Sequence, residues 1–409
     1  MRPTRHLLAL GVVVVGMGCS AEARPASVSD ASAPDASAPD ASAPRGEDAS
    51  APFVCEDGFE PDALGRCGRW TTLSGAPACF DVAMATMRGA SVLVLGNCHD
   101  PDAHPPILLS AFVFSPDTQT WRLLPDAAPT RIRSTVTLLP DGRVLIVGGA
   151  SFGPSSVISP STVLFDPDGE TFSPASDMTT PRASHTATLL ADGRVLVAGG
   201  HTSALPGEPT ASVEIFDPSN GTWHAAAPMH TARAGHTASL LDNGRIAVIG
   251  GVDASRAITS SVEIYDPFRD AWHDGPWIET ISGNQTATPL SDGSLLVVDA
   301  HDVLRSFAGL TGFVPAAEMH AAREGHFAIA LSTGMVLVVG GVTSGGDERP
   351  PAELYDPSAD TWSETHTPGV SIWSGGGDVA SATQVGSEIL LHSDNVGFLV
   401  YEWSMPRCG

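Results

Sequence analysis

One arginine position recurs along this chain at a spacing that could build an anion-binding surface. It is occupied by Arg131, Arg182, Arg233 and Arg323. A guanidinium group presents a planar fork of N–H donors that can hold a carboxylate or a sulfate through two parallel hydrogen bonds. If the four arginines lie on successive copies of one structural unit, they could surround a common ligand. They could equally pair with aspartates in the same loops, and the sequence leaves both possibilities open.

Three of these arginines are followed at a fixed distance by a histidine. The histidines are His185, His236 and His326. Histidine is a common metal ligand, but every ligand of one zinc ion must lie about 2 Å from it. Residues that repeat on successive units lie too far apart for this. We therefore interpret the three histidines as framework residues that hydrogen-bond local backbone.

One short loop, HDPDAH, concentrates further titratable groups. They are His99, Asp100, Asp102 and His104. Calcium would need more oxygen ligands than this loop offers, whereas imidazole and carboxylate groups of this kind could bind zinc. These four residues are therefore the candidate metal site in this sequence.

Acid–base chemistry would need a carboxyl group outside the ordinary turns. The candidates are Glu324, Glu208 and Asp253, of which Glu324 follows an arginine where two other units have alanine. The alternative role for each is that of a solvated turn residue. The chain contains no P-loop, no GxGxxG after a strand, no GxSxG and no HExxH, so no cofactor is predicted.

The strands that would position these residues are predicted from a repeated sequence motif. The motif is SHTATLLADGRVLVAGG from Ser184, and it recurs as GHTASLLDNGRIAVIGG from Gly235. Each copy predicts a first strand, an Asp-Gly or Asn-Gly hairpin turn, and a second strand that is apolar on both faces and ends in Gly-Gly. A second hairpin follows, such as VEIFDPSNGTW, with Asp-Pro at its turn and large aromatic residues on both sides.

The repeat occurs seven times with a period of about fifty residues, which is typical of a propeller or a solenoid array. Equivalent starting positions are Cys79, Arg131, Arg182, Arg233, Ser282, Arg323 and Gly375.

These motifs resemble the kelch repeat, which has an R-x-x-H opening, Gly-Gly after the second strand, and an aromatic residue in each of the last two strands. The resemblance extends from about Arg69 to the C-terminus. It implies an all-β fold, a closed seven-bladed β-propeller with four antiparallel strands per blade. The unit from Ser282 departs from the pattern, because it has Asp299-Ala300 in place of Gly-Gly and no tryptophan.

The kelch resemblance includes two kinds of enzyme, galactose oxidase and the sialic-acid mutarotases. The copper-radical site of the oxidase needs two histidines and tyrosines, one of them crosslinked to a cysteine. Here Tyr265, Tyr355 and Tyr401 occupy the third-strand position, and none neighbours a histidine or a cysteine in sequence. We therefore expect no oxidase activity. A sugar mutarotase or epimerase would need acid–base groups at the mouth of the central channel.

The two ends of the repeat region are predicted to share one blade. The last unit supplies three strands, over 378–383, 388–392 and 396–401, and lacks a fourth. The segment Arg69–Leu73 precedes the first unit and looks like an orphaned fourth strand. It would close the ring and cover an edge that could otherwise aggregate.

The N-terminus predicts export and anchoring. Arg2 and Arg5 precede an apolar run over 7–17 that is too short to span a bilayer and is typical of a signal peptide. The following VGMGCS resembles the lipobox of bacterial lipoproteins, which implies lipidation of Cys19. Ser20 after the cysteine then implies sorting to the outer membrane. The alternative is an ordinary signal peptide with an incidental cysteine. The expected segments are a signal peptide over 1–18, a disordered DASAP-repeat tether over 19–54, a cysteine loop over 55–68 and the propeller over 69–409.

Five other cysteines could form disulfides in an oxidising compartment. They are Cys55, Cys67, Cys79, Cys98 and Cys408. Cys79 and Cys98 lie close together in the first hairpin, but one diagonal from direct opposition unless the Arg88-Gly89 turn shifts the register. Cys55 and Cys67 could close a short loop, or Cys408 could bond either of them and lock the ring.

The net charge of −25 over 409 residues disfavours nucleic acid as a partner. We expect a monomer that is held in the cell envelope by its lipid and binds an unidentified protein or glycan through the loops on one propeller face. The alternative is a carbohydrate-active enzyme on the same scaffold.

Overall fold

Each repeat of the sequence folds into one antiparallel sheet of four strands in the computed structural model. The structure describes residues 60–61, 67–99, 110–124, 131–151, 157–203, 207–279, 281–300, 302–307, 309–343, 345–346, 350–370, 372, 381–386, 388–393 and 396–404. Within these ranges no helix is long and apolar enough to cross a bilayer.

The strands follow the repeat order. Before the first repeat lie β1 (Glu60–Pro61) and β2 (Cys67–Thr72). Blade 1 contains β3 (Ala78–Thr86), β4 (Val92–His99), β5 (Ser110–Ser115), a 3₁₀ turn (Pro116–Thr118) and β6 (Thr120–Leu123). Blade 2 contains β7 (Thr135–Leu138), β8 (Val144–Val147), β9 (Thr162–Asp166) and β10 (Thr171–Pro174). Blade 3 contains β11 (Thr186–Leu189), β12 (Val195–Ala198), β13 (Val213–Asp217) and β14 (Thr222–Ala226).

Blade 4 adds a short pair, formed by β15 and β18, to its four strands. It contains β15 (Arg233–Ala234), β16 (Thr237–Leu240), β17 (Ile246–Ile249), β18 (Val252–Asp253), β19 (Val262–Asp266) and β20 (Ala271–Asp274). Blade 5 contains β21 (Thr286–Pro289), β22 (Leu295–Val298), β23 (Val303–Ser306) and β24 (Phe313–Pro315). Blade 6 contains β25 (Arg323–Ala330), β26 (Val336–Thr343), β27 (Ala352–Asp356) and β28 (Thr361–Thr365). Blade 7 contains β29 (Ser381–Val385), β30 (Glu388–Ser393) and β31 (Gly397–Ser404), and β2 completes its sheet.

The second strand of a blade is buried on both faces because each blade is packed between two others. In β12, Val195 and Val197 join the core shared with blade 2, whereas Leu196 and Ala198 join the core shared with blade 4. Every residue of this strand is buried. Fully burying one such aliphatic side chain contributes about 1.5–3 kcal/mol. The continuous apolar run therefore stabilises two interfaces at once.

The Gly-Gly pair after the second strand allows close approach of the next blade. Gly199 has φ +64, a left-handed conformation, and a Cβ atom there would lie 2.5 Å from the carbonyl oxygen of Arg233. A side chain at this position would therefore push neighbouring blades apart.

The ring closes as predicted. The first strands of neighbouring blades contact each other all the way round, and β29 of blade 7 contacts β3 of blade 1. β2 pairs antiparallel with β31, which places Trp70 opposite Tyr401. The Trp70 indole also donates a hydrogen bond to the carbonyl oxygen of His366 at 2.7 Å. The segment before the first repeat is thus the fourth strand of the last blade.

Blade 1 departs from the expected register. A bulge between Phe80 and Ala83 shifts the pairing of β3 with β4 and sets Cys79 directly opposite Cys98. The two residues form a disulfide with a Cα–Cα distance of 3.9 Å. The diagonal offset expected from the sequence is therefore wrong, and the correction comes from this bulge rather than from the Arg88-Gly89 turn. Cys55 and Cys408 lie outside the described residues.

The two ends of the propeller differ in what they carry. The end that we call the turn face holds the Asp-Gly and Asn-Gly turns. The opposite end, the loop face, holds the starts of the first strands, the connections between blades and the loops after the second strands. The loop of blade 3 covers 199–212, whereas that of blade 5 covers only 299–302.

Candidate functional site on the loop face

Three of the recurring arginines are buried in ion pairs beneath the loop face. Arg182 donates to Glu214 at 2.8 Å, and neither side chain is more than 4% exposed. Arg233 pairs with Glu263, and Arg323 with Glu353, each at 2.6 Å. These guanidinium groups already hold carboxylates of their own blades. The structure therefore gives Arg182, Arg233 and Arg323 a framework role instead of the ligand contacts considered from the sequence.

Each of these glutamates also holds the chain segment that enters its blade. Glu214 accepts hydrogen bonds from the backbone N–H groups of Thr179 at 2.7 Å and Thr180 at 3.0 Å. Glu263 and Glu353 bind the equivalent N–H groups in their own blades. Sequence reasoning missed these glutamates. They could have been found because each is a charged residue in an otherwise apolar strand, in the segments VEIFD, VEIYD and AELYD.

The recurring histidines connect neighbouring blades. The Nε2 atom of His185 lies 2.9 Å from the hydroxyl of Thr135 in blade 2. His236 repeats this contact with Thr186, and His326 repeats it with a threonine of blade 5. The expected framework role agrees with these contacts. His326 also has the expected local backbone partner, since its Nδ1 lies 3.3 Å from the carbonyl oxygen of Arg323.

Burial keeps these histidines neutral. It lowers the pKa of His185 and of His236 to about 3, and the charge of the neighbouring arginine lowers both further. Burial likewise lowers the pKa of His326 to about 4. An imidazolium could not be solvated at these positions, so the histidines act as neutral hydrogen-bonding groups.

Arg131 is the exception among the recurring arginines. Its blade has Val163 at the place that Glu214 takes in blade 3. Arg131 is half-buried and donates to the carbonyl oxygen of Gly148 at 3.0 Å. Burial lowers its pKa, and the charge of Asp177 opposes that shift. Among the described residues, no carboxylate forms an ion pair with Arg131.

The residues two places after the starts of the first four repeats link neighbouring blades through their backbones. Asp81, Arg133, Ser184 and Gly235 occupy this position on blades 1 to 4, and all have φ between +53 and +64. Ser184 donates its N–H to the carbonyl oxygen of Arg133 at 3.1 Å, and Gly235 donates to that of Ser184 at 2.9 Å. The Arg133 N–H donates to the carboxylate of Asp81 at 3.0 Å. These bonds join the blades around the axis.

Arg133 and His201 are two further polar residues of the loop face. The Nε atom of Arg133 is buried without a hydrogen-bond partner, as are the Nε atoms of Arg182 and Arg233. His201 belongs to the loop of blade 3, and its Nδ1 lies 2.9 Å from the carbonyl oxygen of Gly207. Burial, opposed by that hydrogen bond, lowers the pKa of His201, and the nearby charge of Arg133 lowers it further. Sequence reasoning missed Arg133, because each of the first four blades has a different residue at its position.

The carboxyl groups considered for acid–base chemistry are spread over three blades. Glu324 is exposed on β25, opposite Val342. Glu208 is exposed in the loop of blade 3. Asp253 lies on β18 opposite Arg233, and hydrogen bonds from Ser255 and the neighbouring backbone lower its pKa. The structure reports no contact that brings two of these carboxyl groups together.

The metal-site candidate lies outside the described residues. This applies to Asp100, Asp102, His104 and the side chain of His99. In the part of the chain that is described, no group of three His, Cys, Asp or Glu side chains is placed to hold a metal ion. Cys19 also lies outside it, and Cys67 is placed only by its backbone, opposite Ser404.

The tyrosines serve the packing of the blades. The hydroxyl of Tyr265 donates to Asp270 at 2.8 Å, and that of Tyr355 donates to Asp360 at 2.7 Å. Burial, together with this hydrogen bond, raises the pKa of Tyr355 to about 12. Tyr401 is buried against Trp70. The described tyrosines therefore do not fit a copper-radical site.

Comparisons with known proteins agree with this architecture. Residues 182–230 match the family model of the Kelch motif. The sequence matches no curated protein. Among solved structures, the chain is similar to YjhT, with 15% identity and a TM-score of 0.54 over 72% of this chain and 100% of that one. It is also similar to a fungal alcohol oxidase of the AA5 family in complex with copper, with 15% identity and a TM-score of 0.62 over 85% of this chain and 76% of that one.

Identities of 15% carry the fold and no activity. The chain is therefore a seven-bladed β-propeller in which one repeat, over residues 182–230, matches the Kelch motif.

Proposed function

We propose that the protein is an exported, lipid-anchored binding module that takes its ligand on the loop face. One observation carries this proposal. The residues that recur between blades, such as Arg182 and His185, hold the scaffold together, whereas the loops after the second strands differ between blades, from 199–212 in blade 3 to 299–302 in blade 5. A rigid scaffold that presents variable loops is a common arrangement for recognition.

The exposed side chains of this face support a recognition surface. Trp277 lies in the connection from blade 4 to blade 5 and is 70% exposed. Ile258 lies in the loop of blade 4, is 49% exposed and approaches Gly283 of blade 5. Exposed large apolar groups on such a surface favour contact with a partner.

Binding is favoured over a carbohydrate-active enzyme because the acid–base candidates sit apart. General acid–base catalysis needs groups within hydrogen-bond reach of one reacting atom. Glu208, Asp253 and Glu324 lie on three different blades, and hydrogen bonds from Ser255 and the neighbouring backbone lower the pKa of Asp253. A lowered pKa at Asp253 gives a weak base.

The binding proposal is tested with the full mature protein on arrays of glycans and envelope proteins. We expect a ligand whose binding is lost in Trp277→Ala. The matched control is Phe268→Ala, since Phe268 is 87% exposed but lies on the turn face. Equal losses in both variants, or no ligand on either array, would contradict the proposal.

The anchoring part of the proposal is tested separately in a bacterial host. The wild-type chain should partition into the detergent phase, and Cys19→Ala should move it to the aqueous phase. Partition that is unchanged by Cys19→Ala would overturn lipidation and leave the binding proposal standing.

A further inference from the structure

Two phenylalanines are exposed on the turn face, where the third strand of a blade turns into the fourth. Phe268 of blade 4 is 87% exposed, and Phe307 of blade 5 is 54% exposed. Val314 of β24 is also exposed and lines one surface cavity with Phe307. These three residues form an apolar patch, which we call the turn-face patch.

The Asn243-Gly244 turn lies between the two phenylalanines. A Cβ atom at Gly244 would lie 4.0 Å from Cε2 of Phe268, and one at Gly309 would lie 3.6 Å from Nδ2 of Asn243. Gly309 belongs to the turn that follows Phe307. The two phenylalanines are therefore carried by neighbouring blades with a single turn between them.

Other blades have polar residues at these positions. The residue equivalent to Phe268 is Ser219 in blade 3 and Ser358 in blade 6, and each serine hydroxyl donates to the aspartate before its turn at 2.6 Å. Phe268 makes the backbone hydrogen bond to that aspartate at 3.0 Å, but its ring has no hydroxyl to add a second. The residue equivalent to Phe307 is Asp217 in blade 3. The turns thus form without an aromatic ring, so the fold does not require either phenylalanine.

An exposed arginine lies beside the patch. Arg269 follows Phe268 and pairs with the buried carboxylate of Asp266 at 2.7 Å. Asp266 also pairs with Arg245 at 3.2 Å. Because a guanidinium has five N–H donors, Arg269 retains donors for a phosphate group. Apolar rings beside an arginine suit a membrane interface, where the rings lie among the headgroups and the arginine meets phosphate.

The chain that leads back to Cys19 joins the propeller on the same face. β2 is the fourth strand of blade 7 and pairs antiparallel with β31, with Cys67 opposite Ser404. Fourth strands begin at the turn face, because the turn from the third strand lies there. The segment before β2 is therefore attached at the turn face, and a lipid on Cys19 would bring this face toward the membrane.

We propose that the turn-face patch rests on the membrane surface, with Phe268 and Phe307 in the interfacial layer and Arg269 against lipid phosphates. The loop face then points away from the membrane and toward its ligand. This inference rests on the proposed anchoring through Cys19 and adds an orientation to it. An anchored module meets the membrane at a high effective concentration, so a weak affinity of the patch is sufficient.

The test measures the patch without the anchor. The mature chain carrying Cys19→Ala is mixed with phosphatidylcholine vesicles, and binding is measured by flotation. A zwitterionic lipid is chosen because an anionic surface would repel a net charge of −25. We expect binding at millimolar lipid. Phe268→Ser should weaken it by about 10-fold, and Phe268→Ser with Phe307→Asp by about 100-fold, because each ring would leave the lipid.

These substitutions are taken from equivalent turns of other blades, so they should leave the unfolding transition unchanged. Trp277→Ala is the matched control, because Trp277 is exposed on the loop face, and it should leave vesicle binding unchanged. In a second measurement, Phe268→Trp should add a fluorescence component that brominated phosphatidylcholine quenches.

The proposal is overturned if the Cys19→Ala chain does not bind the vesicles, or if the double phenylalanine variant binds them equally well. It is also overturned if the double variant loses only self-association, which would assign the patch to a second copy of the chain. The assay contains no lipid anchor, so its result does not depend on lipidation of Cys19. Failure here would also leave a loop-face ligand that is lost in Trp277→Ala unaffected.

Discussion

Replacing His236 with glutamine should make the protein less sensitive to acid. His236 is 5% exposed, its Nε2 lies 2.9 Å from the Thr186 hydroxyl, and burial lowers its pKa to about 3. In the unfolded chain the same group titrates near 6.5, so between these two values the unfolded state binds one more proton than the folded state. Stability contributed by the neutral histidine is therefore present above about pH 6.5 and is lost as the pH falls toward 3.

The size of the effect follows from this difference in proton binding. One proton changes the free energy of unfolding by about 1.4 kcal/mol per pH unit, or roughly 2 kcal/mol between pH 6.5 and 4.5. Glutamine does not titrate, so His236→Gln removes this dependence of the unfolding free energy on pH. The glutamine can remain hydrogen-bonded, because blade 5 has Gln285 at the equivalent position, where it donates to the Ile249 carbonyl oxygen at 3.0 Å. At pH 7 we expect a loss of about 1 kcal/mol, the value of one hydrogen bond.

The assay is denaturant unfolding of wild type and His236→Gln at a series of pH values. The variant should be the less stable protein at pH 7 and the more stable one near pH 4.5. His224→Gln is the control, since His224 is exposed on β14, and its curve should run parallel to that of wild type. Parallel curves for wild type and His236→Gln would refute the assignment of His236 as a buried neutral group.

The remaining predictions concern the same framework. Glu263→Ala should lower the free energy of unfolding by about 3–5 kcal/mol, because it leaves the buried Arg233 guanidinium unpaired. Asp192→Ala, which removes the exposed pair with Arg194, should lower it by less than about 1 kcal/mol. Equal losses in denaturant unfolding would contradict the buried pair. The double variant Cys79→Ala, Cys98→Ala should lose about 3 kcal/mol of unfolding free energy, as expected for a disulfide that closes a loop of this length. A reducing agent should lower the melting temperature of wild type more than that of the double variant. Trp70→Ala should cost about 3–5 kcal/mol by opening the shared blade, and unchanged unfolding would contradict ring closure through β2.

The features predicted from the sequence are those that depend on local chemistry. Asp192-Gly193 specifies a tight turn, and an apolar run such as Val195–Ala198 specifies a strand buried on both faces. Closure was predictable too, because Trp70 and its neighbours formed a strand without a partner at one end and blade 7 lacked a strand at the other.

The features that the sequence did not reveal depend on contacts between distant residues. The Arg182–Glu214 pair joins residues 32 positions apart, and the His185–Thr135 contact joins residues 50 positions apart. Likewise, the bulge between Phe80 and Ala83 is visible only in the pairing of β3 with β4. Each of these partners could be assigned only when the blades were placed side by side.

The same dependence on a partner distinguishes the recurring arginines from one another. At Arg182 the repeat supplies Glu214, so the charge is neutralised within the blade. At Arg131 the equivalent residue is Val163, and no described carboxylate forms an ion pair with the guanidinium. Arg131 is accordingly only half-buried whereas Arg182 is fully buried, because burying a charge is costly unless an opposite charge compensates it.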